Sequence, residues 1–436
     1  MKKIVVLLSV ALMALVSCDK NKLHDDNQVV VPPVEIPEGM FTVEAPAPTK
    51  QIDRVALDEA QSDVAANTAR FAFNSLKTIY DVDIKKKKDH SDVYSPLSLE
   101  IALGMLANGV SEASAREISD VLGYGGDVDL LNGYCKTILE QLPAVDLDVK
   151  LKLADAFIVN RIFPVQPAYK SIIADYYYSS VENISFDDPE YVKGVVNGWC
   201  YRNTEGLIPG IVEEVSPFAA AYILNALYFK AGWSEPFNPD FQVIKDGTFT
   251  ANGKKQKLDF LKSNGYLKYA DMGSYRVLRI PYGNGRFSFN IFLPESVSVS
   301  DMLGALAEDW SRLRSSMAFS SVMYRFPKFE TESSYNLIEI LKKLGINDVF
   351  DHPDFDRMFD SPCDFEVSEI IQKAVLKLDE KGTEGAAVTE IGIKFTSAGP
   401  GDESECVEFY ADRPFAYAIT EDTSGTILFT GVMAGK

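Results

Sequence analysis

The chain has 436 residues, 46% of them hydrophobic and 24% charged, a globular composition that excludes long-range disorder. Its 63 acidic residues against 43 Lys and Arg leave a net charge of −20, which repels nucleic-acid phosphates and excludes a nucleic-acid binder. Three histidines far apart (His24, His90, His352), and five cysteines without a Cys-x-x-Cys pair, exclude zinc sites of the usual spacing.

In chain order, Lys2-Lys3, the apolar run Ile4 to Val16 and Ser17-Cys18 have the layout of an export signal, too short for a spanning helix. Leu15-Val16-Ser17-Cys18 resembles the lipobox of bacterial lipoproteins. That implies a signal peptide at 1–17, lipid on Cys18, a membrane-anchored protein at the cell surface or periplasmic face, and a compartment permissive for disulfides. Residues 18–56, with Val31-Pro32-Pro33 and Ala45-Pro46-Ala47-Pro48, lack apolar periodicity and read as a proline-rich tether. From residue 57 the body begins, with a long amphipathic helix carrying Leu57, Ala60, Val64, Phe71, Leu76 and Ile79 on one face. Lys85 to Lys88 read as a solvated loop.

Val93-Tyr94 reads as a strand, Ser95 as an N-cap and Pro96 as the first residue of the next helix. The spacing of Ser114 and Glu117 predicts a capping box for a further helix that ends at Gly123. Strands are expected over 149–159, 219–230, 287–293 and within 406–430, and a helix over 335–344, stopped by Gly345. Helices and strands do not alternate regularly, so the fold class is α+β with large mixed or antiparallel sheets. No Gly-x-Ser-x-Gly, Walker loop or dinucleotide fingerprint occurs, and neither His90 nor His352 has a catalytic context. Glycosidase chemistry, whose two acids only the fold brings together, stays open.

Residues 380–397 are the most informative stretch. Gly and Ala give the first half the composition of a loop, yet Thr383, Gly385, Ala387, Thr389, Ile391, Ile393 and Phe395 put uncharged residues on every odd position, with Glu384, Glu390 and Lys394 on even ones. Such a segment can bury one face of a strand if a sheet offers it a slot. A static strand would show the same parity.

Asp379 to Ala387 resembles the reactive-loop hinge of the serpins, and Phe409-Tyr410-Ala411-Asp412-Arg413-Pro414-Phe415 resembles their carboxy-terminal signature. Asn225 to Phe237, and Phe326-Pro327-Lys328-Phe329 with Leu344-Gly345-Ile346, are similar to two further blocks, in the family's order. The resemblance implies a serpin domain at 57–436, with three β-sheets, about eight or nine helices and an exposed reactive-centre loop at about 380–404. It implies a metastable monomer without cofactor or metal that is no enzyme. A serine protease, or a papain-like cysteine protease, attacks the loop, forms an acyl-enzyme and is distorted as the loop inserts into the central sheet.

Residue by residue, the resemblance assigns the hinge to Glu380, Gly382, Thr383, Glu384, Gly385, Ala386 and Ala387. Ser95, Ser98 and Asn225 correspond to the polar cluster beneath the parting strands, and Trp233 to the aromatic where the loop goes in. Gln372 stands where many serpins have histidine, which removes a pH switch at that position. The family's spacing sets the reactive bond between Thr396 and Ser397, with Lys394 and Phe395 as alternatives. Those three baits imply elastase-like targets first, then chymotrypsin- or subtilisin-like, then trypsin-like proteases. A non-inhibitory serpin acting as a binding or chaperone-like protein is the rival reading. A lipid-anchored hydrolase is a third, disfavoured by the missing motifs.

Overall fold

The computed structural model describes residues 36–86, 91–216, 219–360, 367, 370–384 and 406–435. The chain runs through α1 (Glu59–Lys86), β1 (Asp92–Tyr94), α2 (Pro96–Ala107), α3 (Glu112–Leu122), α4 (Val128–Gln141), β2 (Lys150–Asn160), α5 (Pro167–Tyr177), β3 (Ser180–Ile184), α6 (Pro189–Asn203) and β4 (Ala221–Gly232). It continues through β5 (Val243–Ala251), β6 (Lys254–Asp271), β7 (Tyr275–Tyr282), β8 (Phe287–Pro294), α7 (Val299–Ser316), β9 (Ala318–Pro327), β10 (Phe329–Asn336), α8 (Ile338–Leu344) and α9 (Asp348–Asp351). The last elements are β11 (Ile371–Leu378), β12 (Gly382–Thr383), β13 (Val407–Tyr410), β14 (Phe415–Glu421) and β15 (Ile427–Met433).

Local signals set most boundaries. Ser95 caps α2 by accepting from Ser98 N–H, with Pro96 in the first turn, as expected. α3 starts one turn earlier than the capping-box spacing predicts: Ser111 is the N-cap and accepts from Ser114 N–H, while Glu117 accepts the Asn347 and Asp348 N–H groups at 2.6 and 2.7 Å. The extra turn carries Ser114 and Ala115 into the buried face shared with Ile118 and Leu122. Tyr335, expected in a helix, instead lies in β10, paired with Gln372, and its phenol donates to Asp92 Oδ1 at 2.6 Å.

A six-stranded sheet has the order β10-β11-β12-β4-β2-β3, and a nine-stranded one the order β1-β15-β14-β8-β7-β6-β9-β13 with β5 added on β6. The 18-residue β6 serves two layers: its first part pairs with β5, its middle with β9 and its end with β7. Among the described residues the nine-stranded sheet thus divides into two that are continuous through β6, making three with the six-stranded one. The six-stranded sheet is covered on both faces, which explains why β4 reads as an unbroken apolar run. Leu227, Phe229 and Ala231 enter the main core with the α1, α2 and α7 side chains, while Tyr222, Leu224 and Ala226 pack under Val192, Val196 and Trp199 of α6.

The described part of the expected tether lies on the body. Phe41 is buried against Trp199, its N–H donates to Glu182 Oε1, Val43 N–H donates to Ser180 Oγ, and Ile52 N–H reaches Ala144 O. Apolar residues spaced between prolines carry no period, so this docking left no pattern to read. Among the described residues, no helix is long and apolar enough to cross a membrane.

Candidate functional site

At one end of the six-stranded sheet the chain leaves β11 and folds back. Asp379 shapes the turn: its Oδ1 accepts the Lys381 and Gly382 N–H groups at 2.8 and 3.3 Å, and its own N–H donates to Gly382 O. Gly382 has φ +152, and a Cβ there would lie 2.0 Å from Ala231 O, so only glycine lets the strand come this close. Glu380 pairs with Lys328, whose hydrogen bond holds the carboxyl below the usual range.

Two residues then enter the sheet. Gly382 and Thr383 pair with Gly232 and Ala231 of β4 on one side, and Thr383 with Leu378 of β11 on the other. Thr383 is 2% exposed and its hydroxyl bonds the Tyr282 phenol. Trp233 forms the floor. Its ring stacks on Tyr282 at 4.5 Å and 9°, its indole N–H donates to Asp379 O at 2.9 Å, and its backbone N–H donates to Lys381 O at 3.0 Å. Glu384 N–H donates to Lys377 O at 2.6 Å with φ +59, the last described residue before position 406.

Beyond Thr383, β4 and β11 share no ladder pairing among the described residues; each is paired only on its outer side, to β2 and to β10. A gap runs between them, lined by Thr383, Phe229, Leu227, Ala374, Leu376 and Lys377, and widens into an apolar cavity of about 120 Å³ bounded by Leu103, Phe157, Ile223, Phe355 and Met358. Among the described residues, the facing edges of β4 and β11 thus make no ladder bonds below Thr383.

The expected polar cluster sits at mid-gap but is divided. Gln372 bridges Ser95 in both directions, Oε1 accepting from Ser95 N–H and Nε2 donating to Ser95 O, each at 2.8 Å. Ser95 Oγ donates to Leu428 O at 2.7 Å and accepts from Ser98 N–H at 3.3 Å. Asn225, on the opposite edge, bonds none of these; its Nδ2 donates to Asp155 Oδ1 of β2 at 2.6 Å. Asp155 was missed in the sequence, although a lone carboxylate inside the apolar strand 153–159 was the available signal. Burial pushes its carboxyl up to about 7, against the smaller opposing pull of the Asn225 hydrogen bond.

Of the remaining expected residues, Cys18, Cys363, Gly385, Ala386, Ala387, Lys394, Phe395, Thr396 and Ser397 lie outside the described residues. Cys135, Cys200 and Cys406 are free, and burial pushes the Cys135 and Cys200 thiols up.

Residues 66–435 match the family model described as serpin (serine protease inhibitor). The chain is a serpin. Among similar proteins are an uncharacterised serpin-like protein of Thermococcus kodakarensis, 27% identical with 99% of each chain covered, and plasma serine protease inhibitor of Bos taurus, 30% identical over 78% of this serpin and 83% of the other. Among solved structures, the thermophilic serpin tengpin in its native state aligns with TM-score 0.77 and 26% identity, over 91% of this chain and 99% of that one. The serpin fold expected from the sequence is therefore the fold observed, and the family is one of protease inhibitors.

Proposed function

We propose that this serpin inhibits serine proteases irreversibly as a suicide substrate, and papain-like cysteine proteases by the same route. The observation that carries the proposal is Thr383, seated between β11 and β4 at the head of a stretch where, among the described residues, the two strands have no pairing with each other. Continuing the register of Gly382–Thr383 brings Gly385 between Phe229 and Leu376, Ala387 between Leu227 and Ala374, Thr389 between Asn225 and Gln372, and Ile391 between Ile223 and Ile370. Small residues meet bulky neighbours, a hydroxyl meets two amides, and an isoleucine meets the apolar cavity. This fit disfavours a non-inhibitory binding protein, which has no need of complementarity between loop and slot.

In the proposed cycle the protease serine attacks the carbonyl after Thr396, releasing the Ser397 amine and leaving an acyl-enzyme. Strand pairing and apolar burial then draw the loop into the gap faster than water hydrolyses the ester. The serpin contributes bait and stored free energy, and the protease contributes the chemistry. Lipid on Cys18 would hold the inhibitor at the exported face of a bacterial membrane, acting as a monomer.

The test is a panel of elastase-, subtilisin- and trypsin-like proteases mixed with the full-length protein. A denaturant-resistant complex with at least one, together with a released carboxy-terminal fragment, is expected. Clean turnover without complex throughout the panel would overturn the proposal.

A further inference from the structure

Asp155 and Asn225 face each other across β2 and β4, joined by one hydrogen bond, Asn225 Nδ2 to Asp155 Oδ1. The other oxygen of each, Asp155 Oδ2 and Asn225 Oδ1, is buried without a partner. Two bare acceptors on a pair already joined lack one donor, and a single proton on the carboxyl supplies it. When the loop inserts, the continued register carries the Thr389 hydroxyl to Asn225, so a second donor arrives at the same place.

We propose that Asp155 is a positioning residue of the gap: protonated, it holds the Asn225 amide and the β4 edge in the resting arrangement, and ionised, it leaves that edge short of a donor and favours loop insertion. The inference rests on the loop-insertion reading above. Gln372 cannot titrate, so the pH response expected to be missing from this region is supplied from the other side of the gap.

Behind β2 lie Glu100 of α2, Tyr134 and Cys135 of α4, and Tyr169 and Tyr177 of α5, all pushed by burial toward the neutral form. Beside it in the sheet, Glu182 of β3 is engaged by Phe41 N–H, Tyr228 and Lys230 of β4 alternate on the opposite face, and α6 covers that face with Cys200. At the near turn, the Asp146 carboxylate accepts the Asn284 and Asp148 N–H groups. Asp155 binds its proton more tightly folded than unfolded, where carboxyls titrate near pH 4, so its stabilisation of the resting form is whole below about pH 4 and is lost as pH rises through about 7.

The experiment compares wild type, Asp155→Asn and Thr389→Val between pH 5.5 and 8.5, reading the thermal midpoint of the uncleaved protein and the half-life of its trapping activity on warming. Asp155→Asn carries a permanent donor. It should flatten both profiles, with a higher midpoint than wild type and a half-life at least about tenfold longer at pH 8.5, where Asp155 is ionised. Thr389→Val, which leaves the Asp155–Asn225 pair intact, should keep the wild-type pH dependence of both readouts. A wild-type slope surviving in Asp155→Asn would overturn the proposal. If that variant does not fold, a wild-type midpoint that does not fall between pH 5.5 and 8.5 overturns it. Absence of trapping in wild type at every pH would instead sink the loop-insertion reading and leave the midpoint comparison standing.

Discussion

Thr383 bears on the proposed mechanism more directly than any other described side chain, since it is buried in the sheet between β4 and β11. Thr383→Arg sets a guanidinium against Tyr282 and the apolar core behind it, at a cost on the order of 3 kcal/mol or more. The variant should be cleaved by target proteases and release them, turning inhibitor into substrate. An unchanged yield of complex on a denaturing gel would count against the role given to this position. Gly382→Ala acts one residue earlier, where a methyl collides with Ala231 O. It should lift the hinge off Trp233 and alter that indole's fluorescence in a background where Trp199 and Trp310 are replaced by Phe. At this scale Ser95 was named within a strand–cap–helix pattern, Trp233 within a contiguous block and Gln372 through the family resemblance alone. The Asp155–Asn225 pair was not, because it joins two strands 70 residues apart and only register makes it a contact.

At the level of elements, caps and periodicity located α1, α2, β2, β4 and β8, because their signals lie within a few residues of one another. The first turn of α3 was misplaced because packing of Ala115 against the core overrode a nearby alternative cap, and β10 absorbed Tyr335 because pairing with β11 is non-local. The parity of residues 383–395 predicts a strand-forming loop, of which the described residues include only Thr383 and Glu384, and parity alone could not name the edges of β4 and β11 that Thr383 joins. The length of that loop controls how far a protease is carried. Each residue is worth about 3.3 Å of strand, so cleavage after Thr396, Phe395 and Lys394 should trap with decreasing efficiency. Mass spectrometry of the fragment released from a trapped complex should give a first residue between Phe395 and Ser397. A start elsewhere overturns the assigned bond.

For the molecule as a whole, the proposed function requires a resting fold that is not its most stable arrangement. Cleaving the loop frees it to pair along both β4 and β11 and to bury Ile391 near the cavity, where a fully buried isoleucine contributes about 1.5–3 kcal/mol. Calorimetry should therefore show the cleaved form melting well above the intact one. A cleaved form melting at or below the intact protein would sink the inhibitory mechanism while leaving the family assignment untouched.

The same gap has a consequence for behaviour in crowded solution. Its two edges recognise backbone, and backbone is the same in every chain, so nothing in the hydrogen bonding tells the protein's own loop from a stranger's. Discrimination comes from covalent attachment: a loop already fastened at Thr383 faces the slot at an effective concentration on the order of millimolar. A free peptide copying residues 385–393 should compete only as it approaches that concentration, and native electrophoresis should show the shift. Fidelity at this sheet is a matter of distance along the chain, and dilution protects it.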